Sequence, residues 1–166
     1  DLDGDGKREV ATAINGTWNR VTVYSEEGKP LHNAQFGPGP SSAPRARMRD
    51  MDIADLDGDG SKEIVVGLSE GLVVALTGQC QRIWSTRLPA APLSLRCVGR
   101  PGANRSWVVV GSDDGTVTVL DQHGKILRVG KVTGRPTHMK LWDTPAGPLT
   151  VLATDKGDVK GFQVGG

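Results

Sequence analysis

The amino-acid sequence predicts an all-β fold, a β-propeller segment of about 3.5 four-stranded antiparallel blades from a larger ring. Apolar residues come in short runs such as IVVG, LVVAL, WVVVG and TVTVL, separated by turns that draw on 23 glycines and 10 prolines. That is the pattern of many short strands. No stretch of roughly ten residues keeps a 3.6-residue apolar period, so almost no helix is expected. A hairpin pattern also returns at nearly constant spacing, which a β-sandwich has no need to do.

The hairpins are VVGLSEGLVVAL (65–76), VVGSDDGTVTVL (109–120) and VLATDKGDVKGF (151–162), whose turn glycines Gly71, Gly115 and Gly157 recur after 44 and 42 residues. Each is an apolar strand, a glycine-bearing turn and a second strand of alternating character. EVATAINGTWNRVTVY (9–24) is a fourth copy with a longer turn. A strand precedes three of the hairpins, in MDIAD (51–55), LSLRCVG (93–99) and HMKLWD (138–143), and another follows three of them, in PLHNAQF (30–36), RIWSTRL (82–88) and ILRVGKV (126–132). With the strands of a blade denoted a to d from the inside outward, residues 1–166 read as one propeller segment with blades near 1–36, 48–88, 93–132 and 137–164. The first would hold strands b to d, the next two all four, and the last a to c. Because propellers close with about four to eight blades, further propeller sequence or another subunit is expected to complete the ring, a closed four-bladed form being the alternative.

Lys and Arg number 20 against 19 Asp and Glu, a formal charge of +1, which gives no support for a nucleic-acid partner. No apolar stretch approaches the roughly 20 residues of a membrane-spanning helix. The chain opens inside a motif, without Met or a signal-like segment, and is expected to be a mature or truncated piece of something longer. Cys80 and Cys97 lack metal-ligand spacing and leave open either two independent thiols or a disulfide.

The chemistry concentrates in DLDGDGKREV (1–10) and DLDGDGSKEI (55–64), each of which places four carboxylates just ahead of an apolar strand. Side chains at alternate positions, with a glycine after the third to permit a sharp turn, converge on one point. Hard oxygen ligands of that number suit Ca²⁺ far better than Zn²⁺. An EF-hand would need a bidentate Glu at the twelfth position between two helices; Thr12 and Val66 stand there, and a strand follows. Here the closing carboxylate is Glu9 or Glu63, and the carbonyl of Lys7 or Ser61 is free to contribute. Solvated turns without metal would have to bear the mutual repulsion of the carboxylates.

These loops, each followed by a strand, resemble the calcium loops of the FG-GAP/VCBS repeat family, whose members include the propeller of integrin α-subunits and many secreted bacterial proteins. The family's loop has the form DxDxDGxxD/E between strands a and b. The resemblance implies calcium held by Asp1, Asp3, Asp5 and Glu9, and by Asp55, Asp57, Asp59 and Glu63, with Lys7 and Ser61 offering carbonyls. The literal FG-GAP tripeptides are absent and the ninth position is Glu, so the likeness is to the acidic loop and strand pattern. One blade further on, the corresponding positions are Gly99, Pro101, Ala103 and Trp107, and the last blade has the shorter turn DTPAGP. Neither of these holds calcium, so two blades would build the loop with metal and two with Pro/Gly turns. That contrast points to a structural ion, since a catalytic one needs an open position beside an acid or base.

No nucleophile motif, phosphate loop or dinucleotide fingerprint is present; GPGPSS (37–42) lacks the helix that a phosphate loop requires. No catalysis is expected. His32, His123 and His138 fall in different blades as surface or strand residues, and Trp84, Trp107 and Trp142 are expected to pack between blades. The first blade repeats after 54 residues, the surplus lying in its b–c turn and its d-to-a connection. Both emerge on the face opposite the acidic loops, carrying Trp18, Asn19, Arg20, Arg45, Arg47 and Arg49 as candidate partner-binding residues. The expected function is a calcium-stabilised propeller module that binds a protein or carbohydrate. It would work in an extracellular or periplasmic setting, where calcium fills sites of about 10⁻⁴ to 10⁻³ M affinity. The alternative is the propeller scaffold of a secreted carbohydrate-active enzyme of polysaccharide-lyase type, with catalytic residues outside these 166 positions.

Overall fold

The computed structural model describes residues 1–16, 18–37, 46–99 and 106–163. Among them lie 14 strands and no helix. Blade 1 is β1 (Val10–Ile14), β2 (Arg20–Tyr24) and β3 (Pro30–Gln35); blade 2 is β4 (Met48–Ala54), β5 (Glu63–Leu68), β6 (Leu72–Leu76) and β7 (Arg82–Arg87). Blade 3 is β8 (Pro92–Gly99), β9 (Ser106–Ser112), β10 (Thr116–Leu120) and β11 (Ile126–Lys131); blade 4 is β12 (Pro136–Thr144), β13 (Gly147–Thr154) and β14 (Val159–Gln163). Every sheet is an antiparallel meander in chain order.

Strands β5 and β6 are apolar at nearly every position because a blade within a stack is covered on both faces. Ile64, Val66, Val74 and Leu76 share a core with Val21, Val23 and Phe36 of blade 1. The alternate residues Val65, Val73 and Ala75 share a second core with Leu95, Val108 and Val110 of blade 3. A third core joins Val98, Val109 and Val117 to Met139 and Leu152 of blade 4. Close approach of blades depends on two strand glycines. A Cβ on Gly67 would lie 2.9 Å from Pro92, and one on Gly111 would lie 2.7 Å from Pro136.

The inner strand of blade 2 begins at Met48, three residues before its expected start. β4, β8 and β12 share one irregularity, a break in register after Met48, Pro92 and Pro136. That bulge hides the alternation by which a strand is recognised in sequence. The c–d turns also repeat, with Ser25, Thr77 and Asp121 accepting from Gly28, Cys80 and Gly124. Cys80 holds φ +62° where the other two turns use glycine.

Cys80 and Cys97 are free and sit in different cores. Trp84 and Trp107 pack against the second and third cores, whereas Trp142 is exposed. Trp142 lies on the face of blade 4 turned away from blade 3, so it packs on no other blade among the described residues.

Candidate metal centre

Both acidic loops wind in one way. In the first, the Asp1 carboxylate accepts from the amides of Gly4 (2.6 Å) and Gly6 (2.9 Å), Asp3 from Asp5 (3.2 Å), and Asp5 from Lys7 (2.8 Å). In the second, Asp55 accepts from Gly58 (2.6 Å) and Gly60 (3.1 Å), Asp57 from Asp59 (3.2 Å), and Asp59 from Ser61 (2.7 Å). Gly4, Gly6, Gly58 and Gly60 all lie near φ +81° to +93°, a conformation that lets the chain curl its amides toward the first aspartate. Glu9 Oε2 accepts from the Leu2 amide at 2.6 Å, and Glu63 Oε2 from the Leu56 amide at 2.8 Å. Leu2 and Leu56 are themselves buried in the first and second blade-to-blade cores, so each loop is anchored from beneath.

Oxygens of Asp1, Asp3 and Asp5 lie within 4.8 Å of one another, and so do oxygens of Asp55, Asp57 and Glu63. Two ligands each ~2.4 Å from a shared Ca²⁺ can be no more than ~4.8 Å apart, so both trios fit one hard cation. Glu9 and Asp59 stand outside these trios, and Lys7 and Ser61 enter through their amides. Glu63 is almost fully buried. Burial, then the charges of Asp57, Asp59 and Asp55, pushes its carboxyl above the usual range against the lowering pull of the Leu56 amide. A divalent cation would offset both causes.

The neighbouring blade grips each loop. Ser106 donates its hydroxyl to the Asp55 carbonyl (2.7 Å) and its amide to the Leu56 carbonyl (2.9 Å). The blade 2 turn at Gly78 lies so close to Leu2 that a Cβ there would overlap the Leu2 carbonyl. Between the loops is a cleft of about 230 Å³ lined by Asp3, Asp59, Ser61, Glu63 and this turn. Nothing in the local sequence marks Ser106 or Gly78, since their partners lie in another repeat. Of the positions corresponding to the acidic loop one blade on, Pro101 and Ala103 lie outside the described residues, while Gly99 ends β8 and Trp107 is the second residue of β9.

On the opposite face the b–c turn and the d-to-a connection of blade 1 are tied together. Asn19 donates to the Ala46 carbonyl (2.6 Å), and Asn15 both donates to the Met48 carbonyl and accepts from its amide, each at 2.8 Å. Asn19 is consequently buried, which corrects its assignment as a presented residue. Trp18, Arg20, Arg47 and Arg49 are exposed, and Arg45 lies outside the described residues. Arg47 is fixed through its backbone, its amide donating to Ser69 Oγ (2.9 Å) and its carbonyl accepting from the Ser69 amide (2.8 Å).

Stacked antiparallel meanders of three or four strands, with acidic loops leading into β1 and β5, define a β-propeller built from FG-GAP-type repeats. The chain belongs to the FG-GAP-repeat β-propellers and to the lambda-carrageenase beta-propeller domain family, whose model matches residues 42–135, while an FG-GAP-like repeat model matches residues 1–66. A search of curated proteins returns no match.

Solved structures match over nearly the whole chain. BBS1N in complex with ARL6DN and soaked with lead gives a TM-score of 0.64 at 13% identity, covering 94% of this chain and 50% of that one. The mercury-soaked form gives 0.62 at 14%, with 92% and 48% covered. The computationally designed Ika8 protein gives 0.61 at 20%, with 98% and 48% covered. At such identities the likeness is one of fold, and the chain spans about half the length of these structures.

Proposed function

We propose that this chain is a calcium-stabilised propeller module that binds a protein or carbohydrate partner outside the cytoplasm and supplies no catalytic group. Asp1, Asp3, Asp5 and Glu9 hold one ion; Asp55, Asp57, Asp59 and Glu63 hold the other. Bound calcium neutralises the clustered carboxylates and fixes each loop between two blades. The observation that carries the binding assignment is the pairing of Asn19 with Ala46 and of Asn15 with Met48, which ties the ends of the b–c turn to the residues that lead into β4. Trp18, Arg20 and Arg47 then stand on a preorganised surface, where ordering costs little on binding.

The test is an array of glycans and secreted proteins probed in calcium and in chelator, with Trp18→Ala and Arg47→Ala beside the parent. A calcium-dependent ligand weakened by both substitutions is expected. Absence of any calcium-dependent ligand, or one indifferent to both changes, would count against the assignment.

The match to the lambda-carrageenase propeller domain favours a second assignment, as the propeller scaffold of a carbohydrate-active enzyme whose reacting groups lie elsewhere. Cleavage of carrageenan by a protein containing this propeller, unaffected by Trp18→Ala, would select it.

A further inference from the structure

Asn15 and Gly16 form the one Asn-Gly pair in the sequence, and Asn-Gly loses its side-chain amide more readily than other pairs because glycine leaves its own nitrogen unobstructed. In the folded chain both reacting groups are held. The Asn15 side chain donates from Nδ2 to the Met48 carbonyl and accepts at Oδ1 from the Met48 amide, each at 2.8 Å. The Gly16 amide, whose nitrogen would be the nucleophile, donates to Asn19 Oδ1 at 2.9 Å, and Asn19 is itself buried and tied to the Ala46 carbonyl at 2.6 Å. Gly16 meets no steric need of the fold. Its backbone is outside the left-handed region, and a Cβ added there would find nothing within 4 Å.

We infer that Asn15 is a modification site, where loss of the amide turns a locked connection into a released one and the ties to Met48 and Asn19 set the rate. The step needs only water. When the turn opens, the Gly16 nitrogen bonds to Asn15 Cγ, the bond from Cγ to Nδ2 breaks, and Nδ2 leaves as ammonia with the proton from Gly16. Water then opens the succinimide ring at either carbonyl, giving aspartate or isoaspartate, so that amide plus water becomes acid plus ammonia with no change of oxidation state. The product cannot restore the latch. A carboxylate at this position has no proton to donate and sets an oxygen against the Met48 carbonyl oxygen. Met48 is buried in the first core and starts β4, so the part released is the entry to the inner strand of blade 2. Any effect on a ligand rests on the binding surface proposed above; the modification itself does not.

Peptide mapping by mass spectrometry, after incubation at mildly alkaline pH, follows the acid gained at Asn15 without any ligand. The parent should convert slowly in native buffer and rapidly in urea. Asn19→Ala, which takes the acceptor from the Gly16 amide, should speed native conversion by about fivefold or more, the worth of one hydrogen bond that holds the turn closed. Met139→Ala weakens the third core but leaves the turn alone, and should convert at the parent's rate. Gly16→Ala, for which the fold has room, should nearly stop conversion. Asn15→Asp should lower the urea midpoint and weaken the protection of the Met48 amide against hydrogen exchange. Native conversion as fast as in urea, equal rates in the parent and Asn19→Ala, equal acceleration by Met139→Ala, or an Asn15→Asp chain with the parent's midpoint and exchange would each overturn the inference. A glycan and protein array that finds no ligand would leave every one of these results unchanged.

Discussion

The Asp52 carboxylate on β4 accepts a hydrogen bond at 2.8 Å from the Cys97 amide on β8, joining the inner strands of two blades. Asp50 does the same for the Leu95 amide at 2.9 Å and also pairs with the Arg96 guanidinium at 2.9 Å. Their other oxygens accept from the amides of Met51 (2.9 Å) and Ile53 (3.0 Å) on their own strand. An inner strand has one unpaired edge, and edge amides need partners. Each aspartate thus caps two edges at once.

Replacing Asp50 by Ala leaves one amide on each strand and one guanidinium without this partner. The expected loss is about 1–3 kcal/mol, larger than for Asp52→Ala, with Asp50→Asn recovering part of it. Urea unfolding checks this: the midpoint should fall at unchanged slope. A midpoint equal to the parent's for Asp50→Ala would show that the carboxylate does not hold the blades together.

Glycine positions separate close approach from mere flexibility. Gly67→Ala, Gly111→Ala and Gly78→Ala each insert a methyl group where Pro92, Pro136 or the Leu2 carbonyl already stands. Each is expected to cost about 1–3 kcal/mol. Gly130→Ala on the exposed β11, where an added Cβ meets nothing within 4 Å, should be neutral or slightly stabilising. Thermal denaturation of the four variants, ranked against the parent, decides the point.

The buried thiols give a pH signature. Burial, and then the Asp52 charge, pushes the Cys97 thiol well above its ordinary range, and burial raises Cys80 as well. Both should resist a thiol-specific reagent at pH 8 and react only as the chain unfolds. A thiol whose folded pKa is raised holds its proton longer in the folded state, so stability declines as pH climbs past the unfolded thiol value of about 8.5. Cys97→Ala should flatten that decline. Measuring stability from pH 7 upward for parent and variant provides the check.

The repeat was legible because its chemistry is local: a buried hairpin reads as two apolar runs around a glycine, and the acidic loop keeps its carboxylates within nine residues. What the sequence hides depends on partners in another blade. Asp50 and Asp52 look like solvated charges until β8, 45 residues on, brings its amides to them. Asn19 reads as an exposed loop residue, yet its carbonyl partner Ala46 belongs to a connection 27 residues later. Trp142 reads as a packing residue in the same way as Trp84 and Trp107, but it stands on the face of blade 4 turned away from blade 3 and is exposed among the described residues.

Calcium itself is the remaining test. Each loop gathers carboxylates whose repulsion a bound cation would relieve, and Glu63 is held in a buried position beside three aspartates. Titration calorimetry should find two sites for Ca²⁺, one lost in Asp3→Asn and the other in Asp57→Asn. Asp57→Asn should disturb the blade 2 to blade 3 contact more, because Leu56 and Ser106 link that loop to blade 3. Ion bound only by the folded chain adds stability by mass action, ~2.7 kcal/mol per site at a hundredfold excess over Kd. Chelator should therefore lower the melting temperature of the parent, lower that of each single-loop variant by about half as much, and leave the double variant unmoved. Mg²⁺, which prefers to keep its water and a tight octahedron, should substitute poorly. Superimposable melting curves in calcium and in chelator would show that these loops are held by their own amides alone.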